Sequence, residues 1–427
     1  MDKLKYNTHI INFLEQWNKL FLCKKRPKDL CMHWNKIFEL RSSYFSKEIW
    51  NVVPLKNFFT KKFFIANKNS NFNIELDKIL LHKHVYKLVF FNGTLCQHLS
   101  DNDFGQWKIK IRKNNYIKIS PNYLIKSNFF LHMSESFCEN IIHIDLEKNT
   151  KPLIPLYLLH INSGGQNNKI AVINSRIHIN VQENARGEII EHFLGNSHYS
   201  YLNNICTNFL LESSAHMNYL KINFDNFNSY HIANNNIILN KNTTFYNHLF
   251  NLGGYFSQQN THVCLNHEHS DVSINSLSVP SNKQIIDINT YIDHKSRCCK
   301  SRQLHKMILS KSAIGNFHGI IKVEKNAVKT DGHMKNDNLL TSKHSKINTK
   351  PELEIYADDV KCSHGSTVGY MNPEHLFYLR SRGISKNHAK KMIMYAFSLE
   401  VLKNVSYKSL HKTLNNLIVS FLEQIKI

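Results

Sequence analysis

From about residue 155 to about residue 365 strand-like segments follow one another with no helical period between them, and that run restricts the fold more than any other feature of this 427-residue chain. Lys169 to Asn174, Ile177 to Val181, Gly187 to Phe193, Asn218 to Phe224, His231 to Leu239 and Gln284 to His294 are short and alternate apolar with polar residues. Each predicts a strand whose two faces differ. Asn, Asp, Gly and Ser separate them. Repeated strands without intervening helices leave a sandwich, a barrel or a β-helix. Short rungs, recurring asparagine at predicted turns (Asn234-Asn235-Asn236 and Asn240 to Thr243) and a strand region long for one sandwich together favour the β-helix. No strict repeat period is legible.

Helices flank this run. Residues 1–81 read as a mostly helical N-terminal region, in which Ile10, Phe13, Leu14, Trp17, Leu20 and Phe21 form one apolar stripe. Residues 82–371 read as the β-rich region. Its first strand, Val85 to Phe91, ends at Asn92-Gly93, and Trp107, Ile109, Ile111 and then Tyr116, Ile117, Ile119 predict further strands. Residues 372–427 read as a C-terminal helical domain. Asn372 is a suitable N-cap, Pro373 suits the first helical position, and Gly383 suits a left-handed end. Ser385 then caps a second helix with the apolar stripe Ala389, Met392, Ile393, Ala396, Phe397 and Val401. A third carries Leu410, Leu414, Leu417, Ile418, Phe421 and Ile425.

Charge and cysteine usage narrow the function classes. The formal net charge is +22, but the basic residues are spread through predicted loops and do not line one helix or interleave with aromatics. A nucleic-acid footprint should be localised, so the reading is no nucleic acid; the charge can still attract an acidic protein. No run approaches about 18 apolar residues, so no membrane span is expected. Met1 to Asn12 lacks the basic-then-apolar order of a secretory signal. The nine cysteines are odd in number, scattered and never spaced C-x-x-C, which points to a reducing cytoplasm and away from a disulfide framework. No glycine-rich phosphate loop is present, so the chain is not expected to hydrolyse nucleotides.

The sharpest local feature is Lys361-Cys362-Ser363-His364-Gly365. If the preceding alternation continues, Cys362 and His364 share one strand face, roughly 6–7 Å apart along the backbone. Thiolate and imidazole suit iron or zinc, yet a closed tetrahedral site takes roughly four donors. On spacing alone the pair reads as a packed cysteine and a satisfied histidine before it reads as a metal site. A Cys–His nucleophile pair is disfavoured, because same-face neighbours sit too far apart for an easy hydrogen bond. His262, Cys264, His267 and His269 are dense, but on a strand they diverge to opposite faces. Arg297, Lys300 and Arg302 beside Cys298-Cys299 could lower a thiol pKa. Asp358-Asp359 supplies too few carboxylates for a calcium site of roughly 6–8 oxygens and reads better as a turn.

The stretch from Asn348 to Gly369, with Asp331-Gly332-His333-Met334, Asn338-Leu339-Leu340 and Leu376-Phe377-Tyr378-Leu379-Arg380-Ser381-Arg382-Gly383-Ile384, resembles the SufB/SufD family. Ala185-Arg186-Gly187-Glu188-Ile189-Ile190-Glu191 and Ser301-Arg302-Gln303-Leu304-His305-Lys306 fit as well. The likeness covers roughly residues 180 to 402 and extends to the N-terminal third only in length and texture. It is to the SufD branch: the SufB pattern has an acidic Glu-His-Glu-Ala segment at this strand and Tyr-Cys in the following helix, where this chain has Lys-Cys-Ser-His-Gly and Tyr378-Leu379. The resemblance implies a right-handed parallel β-helix core flanked by N-terminal and C-terminal helical domains. It implies a non-catalytic scaffold of iron–sulfur cluster assembly, with a SufB-like subunit and a SufC-like ATPase as partners and the ATPase docked on the C-terminal helices. His364, and with it Cys362, is implied to lie where a transient iron–sulfur cluster forms beside SufB; no cofactor is held permanently. A SufB-like role, or a homodimer of the isolated chain, is the nearest alternative. A β-helix carbohydrate-active enzyme is the alternative of another class, and it would need the secretion signal and acidic metal cluster that this sequence lacks.

Overall fold

Between Leu156 and Tyr370 every described element is a β-strand. The computed structural model describes residues 11–19, 35–37, 39–40, 58–66, 75–76, 79–113, 128–165, 169–405 and 410–425. Successive strands fall alternately into two sheets, so the chain winds into a parallel β-solenoid of about seven turns. The first sheet runs Lys346–Ile355, Ile314–Val323, Ile285–His294, Phe256–Leu265, Tyr230–Leu239, Tyr201–Leu211, Lys169–Val181, Asn140–Leu146 and Trp107–Lys113, with Lys62–Ile65 beside Lys169–Val181. The second runs Val360–Tyr370, Thr330–Leu340, Lys300–Leu309, Asp271–Ser278, Thr244–Asn251, His216–Phe224, Arg186–Gly195, Leu156–Asn162, Tyr86–Phe91 and Thr94–Leu95. The offset between bonded residues of adjacent turns drifts, from 26 at Asn234 and Asn260 to 32 at Leu309 and Thr341. That drift hides the repeat from any fixed-period reading of the sequence.

One corner is built alike at successive turns. Asn184, Ser214, Asn242, His269, Cys298 and Lys329 all adopt left-handed backbone, with φ between 57° and 63°. The N–H of Asn184 donates to Ser213 O, that of Ser214 to Lys241 O and that of Asn242 to Glu268 O at 2.8–3.1 Å, so each corner hangs on the next. Asparagine tolerates this conformation better than most L-residues, which accounts for its use at Asn184 and Asn242. Asn234, Asn235 and Asn236 do not form a turn as predicted; they lie buried inside Tyr230–Leu239. Asn234 Oδ1 accepts from Asn128 (2.6 Å) and Asn260 (3.0 Å), and Asn236 donates to Asn208 (2.8 Å), so the amides are bonded across the sheet. The two segments read as Lys169 to Asn174 and Ile177 to Val181 are likewise one strand, Lys169–Val181. Arg176 does not break it because Glu135 pairs with the guanidinium at 2.5 Å, both side chains fully buried.

Three apolar layers follow from the two-faced strands. Inside the solenoid, Ile179, Phe209, Ile237, Val263 and Ile292 stack. Outside the first sheet, Phe13, Trp17 and Phe58 pack with the helix Phe129–Phe137 over Leu202, Tyr230 and Phe256. The C-terminal helices Lys386–Lys403 and His411–Gln424 set Met394, Val401, Leu402, Leu414, Ile418 and Leu422 against Leu220, Ile222, Phe250 and Leu277 of the second sheet. Each such side chain contributes about 1.5–3 kcal/mol by burial. Phe13, Leu14 and Trp17 are buried as the N-terminal stripe predicts; Ile10, Leu20, Phe21, Tyr116, Ile117 and Ile119 lie outside the described residues. The strand Lys62–Ile65 is an addition to the region read as mostly helical. The first strand ends at Asn92 (φ 46°) and Gly93 (φ 76°) as read, and these two residues make a hairpin turn between Tyr86–Phe91 and Thr94–Leu95.

The helix Pro373–Ser381 begins as read: Asn372 Oδ1 accepts from Glu374 N at 2.8 Å. It ends in a Schellman motif, Gly383 (φ 83°) donating to Arg380 O and Ile384 to Leu379 O. The buried face of Lys386–Lys403 is rotated from the predicted stripe. Ala389, Met394, Ser398, Val401 and Leu402 are buried, while Met392 and Ala396 face solvent. Apolar residues surround so much of this helix that the pattern does not single out one face.

Candidate functional site

The solenoid is open at its C-terminal rung. As described strands, Lys346–Ile355 pairs only with Ile314–Val323, and Val360–Tyr370 only with Thr330–Leu340. No further described turn covers their inner faces, so Val368 is 49% and Tyr370 60% exposed. An uncovered edge of this kind presents a row of unpaired backbone donors and acceptors.

Cys362 and His364 stand on this edge. Cys362 lies opposite Gly332 and His364 opposite Met334, on one face as the alternation predicts. Cys362 lies half-buried against Gly332 of the preceding rung, where an added Cβ would stand at 3.4 Å from Sγ, an ordinary contact distance. That burial pushes the thiol pKa up; the Gly332 backbone bond opposes the shift and the Asp331 charge adds to it. His364 is exposed and borders a groove of about 800 Å³, shared with Tyr246, Asp271, Arg302, His333 and Lys335. Among the described residues no three His, Cys, Asp or Glu groups converge to hold a metal ion. The edge therefore offers two donors of the right chemistry and no closed site.

A hydrogen-bonded row that the sequence motifs do not mark as a site lies beside the pair. Arg302 pairs with Asp331 at 2.5 Å and holds its carboxyl below the usual range. The ionised Asp331 accepts from His333 Nε2 at 2.8 Å, which leaves Nδ1 to accept from Ser363 Oγ at 2.5 Å. Alternation along Thr330–Leu340 puts Asp331 and His333 on one face and was the available signal.

The other candidates do not assemble. His262 and Cys264 lie in Phe256–Leu265, whereas His267 and His269 belong to the following turn. Burial raises the Cys264 thiol pKa. Cys298 occupies the left-handed corner position (φ 59°), and Cys299 is fully buried, its thiol donating to His267 O at 3.2 Å. At Cys299 the expectation that basic neighbours lower a thiol pKa is overturned: burial pushes it to about 11, and Arg297 and Arg302 are committed to Glu268 and Asp331. Cys298→Asn, which copies Asn184 and Asn242, should raise stability by about 0.5 kcal/mol. A urea midpoint that falls instead would show the thiol to be structurally needed. Asp358 and Asp359 form the bend between the last two strands, Asp359 O accepting from Lys329 N.

Sequence comparison gives the family. Residues 161–397 match the SufBD core domain of the SUF system for FeS cluster assembly, more than half of the chain. The chain belongs to the SufB/SufD family of iron–sulfur cluster assembly proteins. Within it, the chain is similar to the iron–sulfur cluster assembly protein SufD of Escherichia coli, 36% identical over 394 residues, which span 91% of this chain and 92% of that one. A SufBD family protein of Synechocystis is 27% identical over 87% of this chain and 85% of its own length. The SufD of Bacillus subtilis is 28% identical over 40% and 38%. No helix among the described residues is long and apolar enough to cross a membrane.

Proposed function

We propose that this chain is a non-catalytic scaffold subunit of the SUF assembly machine, which presents Cys362 and His364 as half of a transient cluster site. The observation that carries the proposal is the pairing of two soft-metal donors with an unpaired rung: both the donor set and the sheet are incomplete at the same place. A SufB-like subunit that continues the sheet edge would supply the missing donors, and iron and sulfide are then cargo of the pair. The proposed units are 1–81, 82–371 and 372–427. A reducing cytoplasm suits the described cysteines, which are all free thiols. Iron titration tests the reading. The isolated chain, or its homodimer, should bind iron weakly, and adding a SufB-like subunit should tighten binding by at least about tenfold. Equal binding with and without that subunit overturns it.

The C-terminal helices support an ATPase seat. Pro373–Ser381 has no buried residue, and it exposes Phe377 (73%) and Tyr378 (57%) beside Arg380 and Arg382. Aromatic residues with neighbouring arginines are the residue types that dominate binding energy at interfaces. Phe377→Ala should weaken capture of a SufC-like ATPase by about 2 kcal/mol, roughly 30-fold, with the melting temperature unchanged. Undiminished capture would place the ATPase elsewhere.

A further inference from the structure

A chain of charged side chains links the C-terminal helices to the edge strand that carries Cys362 and His364. Lys306, Asp337 and Thr367 are neighbours in register on the outer face of the second sheet. Thr367 Oγ1 donates to Asp337 Oδ1 at 2.8 Å. Asp337 sits 3.8 Å from Lys306 Nζ and 3.0 Å from Lys335 Nζ, with only 9% of its side chain exposed. Both lysines pair with Glu400 of the helix Lys386–Lys403. Lys306, 6% exposed, also donates to Phe397 O at 3.2 Å and lies 4.3 Å over the Phe397 ring. The Lys306 bond holds the Glu400 carboxyl below its usual range, so the helix end of the chain is charged.

We propose that Glu400, Lys306 and Asp337 are positioning residues: they tie the seat of the C-terminal helices to Thr367 and so set the placement of the Cys362–His364 strand. Three observations carry this. Val360–Tyr370 has one strand neighbour, so side-chain ties count for more there than at a strand paired on both edges. The tie from Thr367 ends on a nearly buried carboxylate, whose position depends on two cations. Both cations pair with one carboxylate of the helix, Glu400, and Lys306 is held by Phe397 as well. A load that tilts the helices is therefore passed to Asp337 through these pairs, because charge-assisted bonds are strong and directional. The consequence for the cluster site rests on the half-site reading above; the mechanical link does not.

Backbone amide exchange on the full chain separates the two. Glu400→Gln and Thr367→Val should each raise exchange across residues 360–370 by about tenfold, with Phe256–Leu265 unchanged, and the double variant should go no further than either single one. Thr367→Ser, which keeps the hydroxyl, should restore protection. Glu400 is half-exposed, so its substitution leaves the fold in place, and a melting curve checks this. Unchanged exchange in Glu400→Gln, or effects of the two substitutions that simply add, would overturn the link. Raised exchange with undiminished cluster yield in the complete complex would support the link and count against the half-site.

Discussion

In the complex reconstituted with a SufB-like subunit and a SufC-like ATPase, His364→Ala should lower cluster yield by about 100-fold while leaving assembly and melting temperature unchanged. The size follows from the donor count. With two donors on the edge and no third His, Cys, Asp or Glu group in reach among the described residues, removing the imidazole leaves a single thiol. Loss of even an outer-shell partner costs a metal site roughly 10–100-fold, and loss of a donor should cost at least the upper end. The absence of a stability effect follows from exposure: His364 is a solvent-facing residue on a strand paired along one edge only, and such substitutions change stability by about 0.5 kcal/mol or less. Cys362→Ser is the companion variant. It keeps the shape that packs on Gly332 but replaces a soft donor by a hard one, so it should lose yield without loosening the edge. A purely structural His364 would give the opposite pattern, a lower melting temperature with yield preserved.

What the sequence made legible, and what it hid, divides along physical lines. The period-two alternation is set by the backbone alone, so the strands near Leu156 to Tyr370 and the shared face of Cys362 and His364 could be read directly. The caps at Asn372 and Ser385 and the glycine at 383 were legible for the same reason: a hydrogen bond or a left-handed φ demands particular residues locally. The errors arose where a distant partner decides. Asn234 to Asn236 and Arg176 look like strand breakers until Asn128, Asn260, Asn208 and Glu135 are supplied by other turns and by the helix Phe129–Phe137. That helix escaped notice because all nine of its residues are buried, which leaves no polar face to mark a helical period. The site itself was half legible. Donor identity and spacing were local facts, whereas the openness of the rung depends on which strand is the last to be paired, and only the assembled solenoid defines that.

Acid should unfold this chain well above the range in which carboxylates titrate. His192, His248, His294 and His305 are buried, and burial, the largest cause in each, lowers their pKa values to about 3, 4, 4 and 3. Neighbours modify the shift: His160 adds to it at His192 and His411 at His248, while Asp331 opposes it at His294. The folded chain holds these imidazoles neutral, and the unfolded chain protonates them below about pH 6.5. As pH falls through that value the unfolded state binds more protons, so stability is lost, at up to about 1.4 kcal/mol per pH unit for each histidine. The loss continues until the folded pKa values near 4 and 3 are reached. Several kcal/mol should therefore vanish between about pH 6.5 and about pH 5, a large share of a typical total of about 5–15 kcal/mol. Carboxylates with ordinary pKa values are ionised in both states over most of that window, so the slope belongs to the histidines. His294→Gln isolates one of them, since the amide can keep the bond that His294 Nε2 makes with Ser301 Oγ at 2.9 Å. Its urea midpoint should depend less steeply on pH, by about 1.4 kcal/mol per unit between about pH 6 and about pH 5 once converted to free energy. An unaltered slope would mean that His294 is already protonated in the folded chain, and that the solenoid interior tolerates an imidazolium beside Ser301.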